Sequence, residues 1–340
     1  MSARIVRRDM FAGHGLLAFA LVAASTRWLG HSREHALALG VATGAFATLP
    51  DVDILYAPIG AVASGALDVA GFWAAGNVVH RTVTHSLVVA AIAAIAFGYW
   101  SRAATRADPE QADGPATDWH RERGVAVAVL AGLVVVAGIV SGPLGAFVMT
   151  AFAIVGCGVA TAAVRFGGLS PRAVSVVALF GLASHPFGDL LTGGPPQLLY
   201  PFEVTLVSER VVLAADPTLH LFGAFWLELA TIWLALAVYA SLTDRRVRAA
   251  IHGRAALGVA YAAAVLAVPA PTLASSYEFV FSVLAVGVVG PVPLVWRRRW
   301  RAWRRAHRPL DDHDTLAAAA TGLAAITLAS IGYAIAYGAL

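Results

Sequence analysis

The feature that most constrains this chain is a succession of long apolar runs separated by short connections rich in arginine. A helix that crosses hydrocarbon needs about 20 mostly apolar residues, because every backbone N–H and C=O has to be bonded within the segment. Ten runs meet or approach that requirement: Phe11 to Leu29, Ala36 to Leu49, Val83 to Trp100, Gly124 to Val140, Leu144 to Val164, Ala173 to Leu191, Leu219 to Tyr239, Ala255 to Ala270, Phe279 to Trp296 and Leu316 to Tyr337. The expected fold class is therefore all-α, a polytopic transmembrane helical bundle of about ten spans. A single cleavable signal peptide cannot account for so many runs.

Two runs resist a simple assignment. Ala36 to Leu49 is short for a full crossing, so little tilt or shielding by neighbours is expected of it. The stretch from Tyr56 to Val79 is apolar but carries several glycines with Asp68 and Asn77, so a crossing and a re-entrant or interfacial structure both remain open.

Composition agrees with a bilayer as solvent. Apolar residues make up 59% and charged residues 13% of the 340, with a mean hydropathy of +0.73, outside the range of soluble globular domains. All 24 basic residues are arginine. They sit in short loops, where membrane proteins record orientation, and do not form the contiguous face that a duplex requires, so no nucleic-acid partner is expected. Cys157 is the one cysteine, which excludes an intrachain disulfide and a thiolate metal cluster. The stretch Ser101 to Arg123 reads as a solvated loop. Arg297 to Asp314, with interleaved tryptophans and arginines, reads as an anchor at headgroup level. No tandem repeat is evident.

Against this background the polar residues inside or beside the runs stand out, since each costs several kcal/mol in hydrocarbon unless paired, hydrated or bound to a metal. They fall in four clusters: His14 in AGHGLL, Asp51 and Asp53 in TLPDVDI, His80 and His85 in HRTVTHSL, and His185 and Asp189 in ASHPFGDLLTGGPP. If the helix continues through Pro186, the four-residue spacing puts His185 and Asp189 on one face, a turn apart. His80 and His85 are five apart, so joint action requires a break near Arg81 to Val83. Imidazole and carboxylate together suit zinc, manganese or iron while leaving room for water. Each element also has a plainer reading: a lone histidine as a packing residue, Asp-x-Asp as a helix stop, Glu228 as a bond to a neighbouring helix. His31, His35, His120, His252, His307 and His313 lie in polar loops and carry no assigned chemistry.

These motifs, GH near the start, LPDVD, HRTVTHSL and SHPFGDLLTGGPPQLLYPF, stand in the order found in the YdjM-like family of inner-membrane-associated metal-dependent hydrolases, also described as LexA-binding, and the chain resembles that family from Ala12 to Phe202. The resemblance implies a hydrolase membrane domain over residues 1–202, followed by additional helices over 203–340. It implicates His14, Asp51, Asp53, His80, His85, His185 and Asp189 as the metal and catalytic set. One departure is Ile54, where many members carry a histidine after Asp-x-Asp.

The expected function is a multi-pass cell-membrane hydrolase that cleaves an ester or phosphoester of a lipid or lipid-linked substrate with a divalent metal ion, zinc or manganese. His80, His85, His185 and Asp189 are assigned to metal, Asp51, Asp53 and His14 to catalysis, and Arg81 to holding a substrate phosphate. The rivals are a transporter or ion-handling protein that uses the same cluster, and a catalytically silent scaffold. If Tyr56 to Val79 does not cross, all four clusters share one face with Arg4, Arg7, Arg8, Arg81 and Arg210. The remaining arginines lie opposite, which predicts an extracytoplasmic site.

Overall fold

In a computed structural model, residues 13–56, 62, 65, 81–106, 117–191, 194–267, 270–272, 276–292 and 312–339 are described. Among them every regular element is helical and none is a strand. The stretch 57–80 lies outside the described residues except at 62 and 65, and with it the question of whether Tyr56 to Val79 crosses. The expected anchor from Arg297 to Asp314 lies almost wholly outside them too. Two units form, Met1–Val211 and Val212–Leu340.

The first unit contains helices α1 (Gly13–Trp28), α2 (Arg33–Thr48), a 3-10 helix over Leu49–Tyr56, α3 (Leu87–Arg106), α4 (Thr117–Arg165) and α5 (Pro171–Asp189). Their starts follow local chemistry. Ser32 Oγ accepts from His35 N–H at the head of α2. Ser86 Oγ accepts from Val88 and Val89 N–H at the head of α3. Ser170 caps α5, with Pro171 in the first turn where a missing N–H costs nothing. A core of Phe46, Phe97, Met149, Phe152 and Leu182 joins α2, α3, α4 and α5.

Although α4 is 49 residues long, it is not one rod. Gly142 has φ 71 and ψ −169, outside the helical region, and Pro143 follows. A Cβ built on Gly138 would sit 3.4 Å from the Cβ of Ala146. Eight residues of continuous helix would separate those positions by about 12 Å, so the chain turns back on itself and α4 is a helical hairpin. The two runs read on either side of Ser141 are its arms.

The tip of that hairpin meets the ends of the other helices. Ser141 Oγ and Tyr200 Oη are 3.1 Å apart, and Ser86 Oγ donates to the Tyr200 carbonyl at 2.8 Å. Far from this end, Arg123 lies over the Trp100 ring near the other terminus of α3, and Trp100 Nε1 donates to Thr161 Oγ1 on the second arm. The start of α1, the end of α2, the start of α3, the hairpin tip and the end of α5 therefore share one end of the unit.

The second unit contains α6 (Pro217–Leu242), the short α7 (Val247–Ala250), a 3-10 helix over Gly253–Leu266, α8 (Ser276–Val286) and α9 (Asp312–Ala339). Asp216 caps α6 by accepting from the N–H groups of Thr218 and Leu219, both at 2.8 Å. Its core is aromatic: Phe222 packs against Phe279 at 5.2 Å and Tyr333 at 5.8 Å between ring centres.

Five segments among the described residues are long and apolar enough to cross a membrane: Arg33–Ile54, Leu87–Thr105, Trp119–Arg165, Pro217–Leu242 and Thr315–Ala339. Gly253–Leu266 and Glu278–Val289 are shorter apolar helices. The all-helical class expected from the sequence is observed, and among the described residues five segments, one of them the hairpin, satisfy the length requirement.

Candidate metal centre

The polar residues that the sequence scatters over 176 positions meet at the shared end of the first unit. Asp51 and Asp53 sit on the 3-10 helix that Pro50 helps to start. His85 lies in the turn before α3, after Arg81, whose φ of 65 breaks the backbone where the His80 and His85 spacing required a break. The α5 helix does continue through Pro186 and buries both His185 and Asp189. His14 enters from the first turn of α1. His80 lies outside the described residues.

Gly188 explains how His14 gets in. A Cβ at this position would collide with the His14 ring, so the hydrogen side chain leaves the space that the imidazole fills. The rings of His14 and His185 then lie 4.3 Å apart, and those of His85 and His185 4.6 Å apart.

The outward nitrogens are committed to acceptors. His185 Nδ1 is 2.6 Å from the carbonyl oxygen of Ala47, which can only accept, so Nδ1 carries the proton. His85 Nδ1 is 3.0 Å from Thr84 Oγ1, and Thr84 Oγ1 donates to Asp53 Oδ2 at 3.2 Å. The Thr84 proton is thereby spent on the carboxylate, and the hydroxyl oxygen is left to accept from His85. In both neutral imidazoles Nε2 is then a lone pair.

Those two lone pairs face each other at 3.0 Å. Asp51 Oδ1 lies 3.9 Å from His85 Nε2 and 3.4 Å from His185 Nε2. Asp189 Oδ2 lies 3.2 Å and 3.7 Å from the same two atoms. Four electron-pair donors converge, and Asp189 Oδ2 and Asp51 Oδ2 have no hydrogen-bond partner among the described residues. Such an arrangement is favourable only where a proton or a metal ion is shared among the donors. The groups Asp51, His85, His185 and His14, His185, Asp189 could each hold a metal ion, and His185 belongs to both.

Arg81 is buried and its fork is in use. Nη2 lies 3.3 Å from Asp189 Oδ1, while Nη1 donates to the carbonyls of Asp189 at 3.1 Å and Gly194 at 3.0 Å. Gln197 N–H donates to the Arg81 carbonyl at 3.0 Å, so the turn before α3 and the loop after α5 are laced together. His14 Nε2 stands 3.3 Å from the same Asp189 Oδ1. Asp53, His85, His185 and Asp189 are fully buried, and His14 and Asp51 are buried at 8% and 9% exposure.

Sequence reasoning did not find Thr84, although it lies inside the HRTVTHSL motif beside His85. It also could not find the Ala47 carbonyl, since a backbone acceptor leaves no residue-type signal. Ile54 is half-buried on the 3-10 helix next to Asp53.

A family model described as YdjM inner membrane protein matches residues 9–270. The match runs past the last shared motif at Phe202 and includes α6, α7 and the 3-10 helix of the second unit. No curated protein and no solved structure matches the chain.

Proposed function

The chain belongs to the YdjM inner membrane protein family, and on that premise we propose that it is a metal-dependent hydrolase of an ester or phosphoester carried by a lipid or lipid-linked molecule. The observation that carries this reading is the pair of imidazole lone pairs 3.0 Å apart, flanked by oxygens of Asp51 and Asp189 and backed by acceptors on the far side of each ring. Backing acceptors of this kind fix the tautomer and raise the basicity of metal-ligating histidines.

In this reading His85, His185 and Asp189 hold a divalent cation, zinc or manganese, with His80 from the same motif as a further ligand. A divalent cation at such a site makes water acidic enough to attack near neutral pH and polarises the scissile group. The remaining work falls to the protein. Hydrolysis adds the oxygen of water to carbon or phosphorus and expels an alcohol, so one proton leaves the water and one reaches the leaving oxygen. Asp51, whose Oδ2 is buried without a hydrogen-bond partner among the described residues, accepts the first. His14, whose Nε2 stands 3.3 Å from Asp189 Oδ1, supplies the second. Asp53 works through Thr84 to orient His85. Arg81 spends both terminal nitrogens on Asp189 and its loop, which favours a positioning role over contact with a substrate phosphate.

The test is metal content by mass spectrometry on detergent-purified protein, with His85→Ala and Asp189→Ala beside wild type. Stoichiometric metal in wild type, lost in both variants together with hydrolysis of a chromogenic phosphoester, is expected. No metal in wild type after reconstitution would overturn the reading.

The same proposal includes about ten crossings with an extracytoplasmic site. Its support is the charge asymmetry of the first unit: Arg27, Arg33, Arg102, Arg121, Arg123, Arg165 and Arg172 lie toward the end remote from the site, and Arg81 and Arg210 toward the site end. A membrane-impermeant maleimide should label Arg210→Cys in intact cells; labelling only after permeabilisation would reverse the orientation.

A further inference from the structure

Residues 202–211 leave the site end of the first unit without joining a helix. Both ends of this loop are tied down beside the ligand set. At one end Phe202 N–H donates to the Leu199 carbonyl at 2.9 Å, and the preceding Tyr200 is held by Ser86, the neighbour of His85. At the other end Val211 N–H donates at 2.7 Å to the carbonyl of Leu190, which directly follows Asp189.

Between these anchors the loop exposes what an aqueous loop would hide. Phe202, Val204 and Leu206 are 62%, 53% and 57% exposed. They are spaced two apart, with Glu203 and Thr205 between them, the spacing that gathers side chains on one side of an extended stretch. Val211 is exposed as well, and so is Phe187 on α5, midway between His185 and Asp189. The chain is an inner membrane family member, and segments apolar enough to cross a membrane end at this face, so the apolar row adjoins them. Glu203, Glu209 and Arg210, all exposed, suit the headgroup layer beside it.

We infer that residues 202–211 form a membrane-inserted loop whose Phe202, Val204 and Leu206 side chains lie against acyl chains of the leaflet on the site's side. Resting on the hydrolase reading, a second consequence follows. The substrate is an amphiphile whose chain runs along this row while its polar head reaches Asp51 and His14.

The test uses the full chain in lipid nanodiscs, with Val204→Cys in a Cys157→Ala background carrying a bimane fluorophore. Quenching by lipids brominated on their chains should exceed quenching by aqueous iodide several-fold, with the order reversed at Glu209→Cys. Iodide quenching dominant at Val204 would put the loop in water and overturn the inference. Shielding from both quenchers would show that protein covers it, and would overturn it equally. Metal content measured on the same preparation separates the two readings: lipid quenching without metal keeps the loop and removes the hydrolase, and metal with iodide quenching does the reverse. For the substrate, Phe202→Ser with Leu206→Ser should raise KM several-fold for a lipid phosphoester and leave a water-soluble phosphoester unchanged. Equal effects on both would overturn the amphiphile assignment.

Discussion

The two units solve the burial of polar groups in opposite ways. In the first, histidines, aspartates and an arginine that are each expensive to bury come together at one end, where they face one another across about a hydrogen-bond length. In the second, the buried polar residues among those described are neutral hydroxyls and one histidine: Thr218, His220, Ser276, Thr321 and Ser330. They are dispersed, and indole N–H groups donate to such hydroxyls, Trp226 to Ser330 at 3.2 Å and Trp233 to Thr327 at 3.1 Å, which ties α6 to α9. Both groups of residues able to hold a metal lie in the first unit. The contrast separates polar groups that serve helix packing from polar groups whose convergence calls for a shared proton or metal ion.

The sharpest way to break the comparison is through the aromatic core of the second unit. Phe222 is fully buried against Trp226, Phe279 and Tyr333. Its replacement by alanine is expected to cost about 3–5 kcal/mol of stability, the range for removing a packed aromatic ring. Thermal unfolding in detergent would show a lowered midpoint while metal per folded protein stays at the wild-type value. A loss of metal from the folded variant would mean that the two units are not separable in function.

A smaller effect sharpens the account of the site. Asp53→Asn keeps the shape of the side chain but removes the charge that receives the Thr84 hydroxyl and stands 3.5 Å from His85 Nδ1. Metal affinity is expected to fall about 10- to 100-fold, the usual cost of losing the partner behind a ligating histidine. Competition with a chelator measures it. Complete loss, matching Asp189→Ala, would make Asp53 a ligand in its own right; no change would remove the relay through Thr84.

Much of the site was legible in the sequence because the rule behind it is severe. A histidine or aspartate bordering an apolar run is costly in isolation, so His14, Asp51, Asp53, His85, His185 and Asp189 announced themselves, and the structure brings all six together. The helical spacing of His185 and Asp189 needed only the geometry of one turn. The fork of Arg81 was harder, since its partner Asp189 lies 108 residues away, and a guanidinium beside two histidines fits a phosphate as readily as a carboxylate. The span count was harder for a different reason. Hydropathy registers apolar length, which sufficed to read the two arms on either side of Ser141, but it does not tell whether a shorter apolar run such as Gly253–Leu266 crosses.

By itself the sequence determined the helical class, the bilayer as solvent and the residues that cannot be left alone there, because each follows from local composition and the price of an unsatisfied group in hydrocarbon. Only the tertiary structure decided what those residues do for one another: that the Ala47 carbonyl and the Thr84 and Asp53 pair turn two lone pairs inward, that Gly188 admits the His14 ring, and that Arg81 grips Asp189. Tautomer, reach and partner are set by distances between atoms far apart along the chain, and no local rule carries that information.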